Sequence, residues 1–206
     1  MHETPTQKQR RVWDEYADSY DRQIRLLERL AFAGCREWLG ELSRGRVLEV
    51  AVGTGRSLPF YPDGVRLTGV DLSPRMLARA RRRGAELGLD VELREADAEQ
   101  LPFADDSFDT VVCALSLCNI PDRERAVSQM RRVLAPSGSL LLLDHVASTW
   151  PPVRAAQWLV ERVTIRTAGE HFTRRSLPLV EAAGFTVVER ERLKAGTVEL
   201  VHAVAG

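Results

Sequence analysis

Short β-rich apolar runs alternate with helix-period segments along most of the chain. Residues 46–51, 67–70, 91–95, 109–114 and 139–146 read as strands, followed by two more at 185–192 and 197–204. Helical periodicity fills the intervals. Over residues 12–38, Tyr16, Tyr20, Ile24, Leu27 and Leu30 return at three- and four-residue steps. Ser73-Pro74 places an N-cap serine before a proline at the first helical position, predicting a helix to about Leu87. Asp122 caps another that ends near Pro136-Ser137-Gly138. Residues 150–167 read as an inserted helix, and 174–183 as a further one stopped by Gly184.

Such alternation predicts a parallel sheet with helices on both faces. The last two strands are joined only by a turn at Ala195-Gly196, which permits antiparallel pairing alone. One reversed strand is therefore expected near the sheet's C-terminal edge. No internal repeat or linker divides the chain, so residues 1–206 form one expected domain. Residues 1–40 make an N-terminal helical cap in this reading, and 147–173 an inserted lid.

Composition narrows the partners. Lys+Arg and Asp+Glu both total 29, and this zero balance argues against nucleic acid or an anionic membrane as an obligatory partner. Cys35, Cys113 and Cys118 contain no C-x-x-C pair and read as reduced and mostly structural. The polar start at residues 1–11 is unlike a signal peptide, and the apolar run at 140–143 is far too short to span a bilayer. The expected location is cytoplasmic.

The chemistry concentrates in two places. Glu49-Val50-Ala51-Val52-Gly53-Thr54-Gly55 follows the first strand, and Asp71 ends the second. A Gly-rich strand-to-helix turn lets backbone N–H groups approach a ligand, and the following acid is placed to accept from ribose hydroxyls. Together they specify a nucleoside-carrying cofactor. A dinucleotide dehydrogenase is the first rival, but Arg56, Ser57 and Leu58 follow Gly55, so the third glycine of G-x-G-x-x-G is missing. Asp97-Ala98-Glu99-Gln100-Leu101-Pro102-Phe103 follows the third strand, where it can touch an adenine edge. The reversed C-terminal strand is also foreign to the dehydrogenase pattern.

At these residues the chain resembles the class I S-adenosylmethionine-dependent methyltransferases. The likeness runs through residues 47–55, through Gly69-Val70-Asp71-Leu72-Ser73-Pro74 with Met76, and through residues 96–103. It continues through Phe108-Asp109 and Arg132-Val133-Leu134-Ala135-Pro136-Ser137-Gly138. Residues 16–21 look like the cofactor-capping helix of the quinone-biosynthesis C-methyltransferase branch. Phe60-Tyr61-Pro62, Leu117-Cys118-Asn119 and Asp144-His145-Val146 look closest to thiol- and phospholipid-methylating relatives. The resemblance implies an α/β, Rossmann-like, doubly wound sheet of seven strands, mostly parallel with one antiparallel strand. S-adenosylmethionine is the implied cofactor.

The resemblance also assigns roles. Tyr20 would cap the cofactor, and Glu49 would lie near the methionine amino group. Backbone at Ala51, Gly53 and Gly55 would pass close to the methionine moiety. Asp71 would take both ribose hydroxyls, Leu72 and Met76 would sandwich the adenine with Asp97 and Ala98 at its polar edge, and Leu115 would flank the sulfonium. Ala51 departs from the family's usual glycine, and its methyl is tolerable where φ is negative.

Two histidines stand out. His145 should lie at the end of the fifth strand, where open α/β sheets bind ligands, and either takes a proton from an incoming nucleophile or orders the loop. His171, after Gly169-Glu170, is a second candidate in the lid. With Tyr16, Tyr20, Trp150, Trp158 and Phe172 they form the expected acceptor pocket. Scattered histidines without cysteine or carboxylate spacing argue against a metal site. Arg79, Arg81, Arg82 and Arg83, with Glu86 nearby, read as a solvated helix face. The amphipathic face at residues 22–32 is expected to pack on its own domain more often than to touch a membrane.

The expected partner is a small-molecule acceptor methylated on O, N, S or C. The rivals are a phospholipid or quinone methyltransferase at a membrane surface, and a non-methylating cyclase or regulator on the same fold.

Overall fold

The computed structural model describes residues 3–167, 171 and 173–206. Helices α1 (Pro5–Tyr16), α2 (Tyr20–Ala31) and α3 (Cys35–Leu42) precede β1 (Arg46–Val50), β2 (Arg66–Asp71), α4 (Pro74–Leu87) and β3 (Val91–Glu95). There follow β4 (Phe108–Ala114), α5 (Arg123–Val133), β5 (Leu134–His145), α6 (Pro151–Thr167), α7 (Leu177–Ala182), β6 (Phe185–Leu193) and β7 (Val198–Ala205). The strands form one sheet in the order β3-β2-β1-β4-β5-β7-β6. β7 runs antiparallel to both its neighbours, and every other adjacent pair is parallel. The doubly wound α/β sheet with one reversed strand is as the sequence predicts.

Alternating side chains feed two cores. Leu140 and Leu142 of β5 face α5 and α7, joining Val127, Met130 and Val180. Leu141 and Leu143 face the other way, toward Leu39 of α3 and Leu77 of α4. A strand buried on both faces reads as a continuous apolar run, because no position is left for water. Each fully buried leucine contributes roughly 1.5–3 kcal/mol relative to exposure.

Local chemistry sets the ends of the elements. Ser73 Oγ accepts from Met76 N at 3.0 Å, Pro74 sits in the first turn, and Gly88 closes α4 in the left-handed region at φ 67°. Three boundaries differ from the sequence reading. The long helix at 12–38 is three helices, broken at residues 17–19 and again before Gly34, whose φ of 82° favours glycine. α5 stops at Val133 because Pro136 disfavours helical backbone at Ala135, and β5 begins at Leu134, ahead of the expected Ser139. The helix expected over 174–183 is only the short α7, opened by Ser176 and Pro178.

Candidate active site

One cleft lies beyond the C-terminal ends of β1, β2 and β4, with about 840 Å³ of space counted to its open mouth. β1 contributes Glu49, and the turn after it Ala51, Val52, Gly53 and Thr54. β2 and its turn add Asp71, Leu72 and Met76, the turn after β3 adds Asp97 and Ala98, and the turn after β4 adds Leu115. Tyr20 closes over them from α2. All the cofactor residues proposed from sequence converge here except Gly55. A Cβ at Gly55 would stand 2.6 Å from Leu58 Cδ1 and 3.2 Å from Ala80 Cα, so Gly55 serves helix packing behind the cleft.

The turn is wound left-handed, with Ala51 at φ 57°, Gly53 at 56° and Gly55 at 77°. The condition set for Ala51, a negative φ, therefore fails. Its methyl sits in a region where an L side chain costs roughly 1 kcal/mol relative to glycine. Gly53 N donates to Asp71 Oδ2 at 2.8 Å, and Ser73 N donates to Asp71 Oδ1 at 2.9 Å. These bonds fix the carboxylate at the strand tip, while burial still pushes its pKa up to about 6.

Glu49 is 2% exposed. Burial raises it to about 7, against the lowering effect of Ser57, Arg36 and the Tyr61 hydroxyl. Tyr61 donates to Glu49 Oε2 at 3.0 Å. Arg36 reaches Ser57 Oγ at 2.6 Å and Glu28 at 3.0 Å. A buried carboxyl poised near neutrality, with neutral hydrogen-bond partners, fits an incoming ammonium. Asn119 Oδ1 is buried with no hydrogen-bond partner among the described residues, and Asn119 lines the same cleft.

Sequence reasoning missed Gln9, Trp13, Ser116, Asn119 and Ile120 in the lining. Trp13 had a signal, since it shares the three- and four-residue steps of Tyr16 and Tyr20. Its ring meets that of Tyr20 edge-on at 6.0 Å. Tyr16 is 37% exposed and stacks on Trp13 without lining the cleft. Trp158 of α6 and Trp150, just before that helix, are exposed and do not line the cleft. Phe172, with Gly169 and Glu170, lies outside the described residues.

Neither candidate histidine lines the cleft. His145 stands at the end of β5 with Nε2 3.2 Å from Cys118 Sγ. Asp144, beside it, accepts from Cys118 N at 3.1 Å, from Ser176 Oγ at 3.3 Å and from His145 N at 2.9 Å. Cysteine, carboxylate and imidazole thus gather after all, across 27 residues of sequence from Cys118 to His145, with ligand-capable atoms within 4.8 Å. His171 Nδ1 lies 3.1 Å from Glu161 Oε1, and Thr173 N donates to the other oxygen at 2.8 Å. Burial raises the Glu161 carboxyl, but these hydrogen bonds outweigh it and hold the group below its ordinary value.

The N-terminal helices are tied down by charge. Asp14 accepts from Ser73 Oγ at 2.5 Å, and Asp18 from Arg79 at 2.7 Å. Asp21 pairs with Arg83 at 2.6 Å and accepts from Thr54 Oγ1 at 2.7 Å. The arginine run of α4 is therefore divided: Arg82 meets Glu86, as a solvated face would, but Arg79 and Arg83 tether the cap.

A seven-stranded sheet of this order, with an acid-tipped β2 and a left-handed turn after β1, defines a methyltransferase architecture. A family model described as a methyltransferase domain matches residues 48–142. The chain is 45% identical over 129 residues to phosphatidylethanolamine N-methyltransferase of Cereibacter sphaeroides, covering 62% of this chain and 63% of that enzyme. It thus spans just under two thirds of that relative's length. It is 38% identical over 162 residues to demethylmenaquinone methyltransferase of Thermus thermophilus, covering 74% and 70% of the two chains. In fold it matches a Thermotoga maritima S-adenosylmethionine-dependent methyltransferase, a possible histamine N-methyltransferase. The TM-score is 0.73 at 24% identity, over 95% of this chain and 99% of that one. The chain belongs to the class I S-adenosylmethionine-dependent methyltransferases.

Proposed function

We propose that the protein transfers a methyl group from S-adenosylmethionine to a small-molecule acceptor. The convergence of Glu49, Asp71, Met76, Asp97 and Leu115 on one cleft carries the reading. Glu49 would hold the ammonium, Asp71 the ribose hydroxyls, Leu72 and Met76 the adenine faces, and Asp97 its polar edge. The bound donor supplies an electrophilic methyl on its sulfonium. Leu115, Ser116 and Asn119 border the space beyond it, and Trp13 and Tyr20 exclude water from above. Alignment of donor and acceptor can contribute roughly 7–11 kcal/mol to lowering the barrier. Calorimetry with S-adenosylmethionine, then labelled-donor assays on thiols, phenols, amines and quinones, tests it. Absence of donor binding would refute the reading, whereas binding without turnover on any acceptor would favour a regulator or cyclase.

A specific observation favours a second reading, work at a membrane surface. Leu26 is 68% and Leu30 is 65% exposed on α2, contrary to the expectation that this face packs on its own domain. Arg22, Arg25 and Arg29 flank them, also exposed, while Asp21 and Glu28 turn inward to Arg56, Arg83 and Arg36. A leucine-arginine face without exposed acids suits an anionic lipid surface, and the relatives acting on phosphatidylethanolamine and demethylmenaquinone support it. No helix among the described residues is long and apolar enough to cross a membrane. Co-sedimentation with anionic vesicles, set against Leu26→Glu/Leu30→Glu, decides: undiminished pelleting of the variant would discard this reading.

A further inference from the structure

A second cleft, sharing no lining residue with the first, is bordered by Thr149, Arg175, Arg190 and Arg192. The β6–β7 pairing builds it. Arg192 stands opposite Glu199 in the register, and Arg190 lies two residues back on the same face. Glu199 Oε1 accepts from Arg190 Nε at 3.0 Å and Nη2 at 2.8 Å, and from Arg192 Nε at 2.9 Å. Arg192 Nη1 also reaches Ala147 O at 3.3 Å. Glu199 is only 1% exposed, so it acts as a fixed post that orients two guanidinium forks. Arg190 remains 40% exposed toward the cleft.

Arg175 has no such duty. Its side chain is exposed, and among the described residues no acid pairs with it. Three guanidinium groups line the cleft and two of them share one carboxylate, which leaves two positive charges without a partner among the described residues. Holding like charges together costs energy unless an anion joins them; the fork of Arg175 and the N–H groups of Arg190 and Arg192 not committed to Glu199 or Ala147 remain to meet the oxygens of a phosphate. Thr149, whose hydroxyl donates to Ala195 O at 3.5 Å, stands at the same rim, directly before the 60%-exposed Trp150.

We propose that the cleft between Thr149, Arg175, Arg190 and Arg192 binds a phosphate group, carried either by a free phosphate ester or by a lipid headgroup. Trp150, next to Thr149 in the chain, is exposed and would give the lipid source an apolar support.

The test uses the full chain at constant ionic strength. Calorimetry with inorganic phosphate and glycerol 3-phosphate should show saturable binding, weakened about tenfold or more in Arg175→Gln, consistent with loss of a charge-assisted bond. Arg175→Gln should not lower the unliganded thermal midpoint, and should raise it slightly by relieving the repulsion among the three guanidinium groups. Vesicles of phosphatidylcholine with and without phosphatidylglycerol separate the sources. Pelleting that falls in Arg175→Gln assigns the headgroup; unchanged pelleting with weakened soluble binding assigns the free ester. No saturable binding in either arm overturns the proposal, as does equal affinity of wild type and Arg175→Gln, or equal competition by chloride.

Discussion

The Tyr61 hydroxyl donates to Glu49 Oε2 across 3.0 Å, inside a site where burial lifts the Glu49 carboxyl to about 7. Donor binding requires the ionised carboxylate if it is to meet an ammonium. Affinity should therefore be flat above pH 7 and weaken by up to about tenfold per unit below it, as the neutral form takes over. Glu49→Gln should bind the donor weakly and remove the part of this slope between about pH 7 and 6, leaving below 6 the part that protonation of Asp71 adds. The same shift has the opposite sign for stability. A carboxyl whose folded pKa is raised gives its full contribution below the unfolded value of 4.5, and that contribution is lost as pH rises through 7. Unliganded Glu49→Gln should therefore gain stability over wild type at pH 8 more than at pH 5. Calorimetric titrations and melting curves across pH 5–8 check both, and a pH-independent wild-type affinity would remove Glu49 from the ammonium site.

Ala51 holds a left-handed conformation at φ 57°, a region that favours glycine. Ala51→Gly should stabilise the protein by roughly 0.5–1 kcal/mol, raising the melting midpoint by about 1–4 °C. Ala51→Val should lower it by more than that, because a β-branched residue tolerates φ > 0 least. Chemical denaturation of the three proteins measures the difference; a destabilised glycine variant would show that the alanine methyl makes a contact that outweighs its backbone cost.

The convergence of the proposed cofactor residues on one cleft is legible in sequence because their chemistry is local. The turn at residues 49–55, the acid ending β2 and the Asp97 turn each carry their signal within a few residues, and the sheet gathers them by topology. Gly55 was misjudged because a glycine required for ligand approach and one required for helix packing look alike in a string. The histidines failed for a different reason: a strand end points into the cleft or beside it according to which neighbouring loop it meets, and His145 meets Cys118, 27 residues back. The cap was half legible. Its amphipathic period was plain, but whether an arginine on α4 faces water or reaches Asp18 and Asp21 depends on how the helices dock.

That docking makes a further expectation. Asp21 joins Thr54, beside the cofactor turn, to Arg56 and Arg83, so the cap closes by ion pairs over the cleft. Burial raises the Asp21 carboxyl, but Thr54, Arg83 and Arg56 outweigh it and hold the group below its ordinary value. The pairs are partly exposed, which limits them to about 1 kcal/mol. Asp21→Asn should speed donor release roughly fivefold, and added salt should speed wild-type release more than that of the variant. Stopped-flow displacement reads both. A release rate insensitive to salt and to the substitution would mean that the cap does not gate the cleft.

His145 and Cys118 lie 3.2 Å apart and outside the cleft lining, while Leu115 and Asn119, on the same loop as Cys118, lie within it. A histidine so placed would act on the reaction through that loop. It holds Cys118, while the adjacent Asp144 accepts the Cys118 backbone N–H at 3.1 Å. His145→Gln should then raise the acceptor KM while changing kcat by less than about tenfold, and the acid limb of the kcat profile should stay where it is. A histidine serving as the base would behave otherwise: the limb would vanish and kcat would fall by roughly 100-fold or more. Cys118→Ala should mimic the KM effect, because it removes the same tie from the other side. Steady-state kinetics of wild type and both variants between pH 5.5 and 9 separate the two, and a lost acid limb in His145→Gln alone would return His145 to the chemistry.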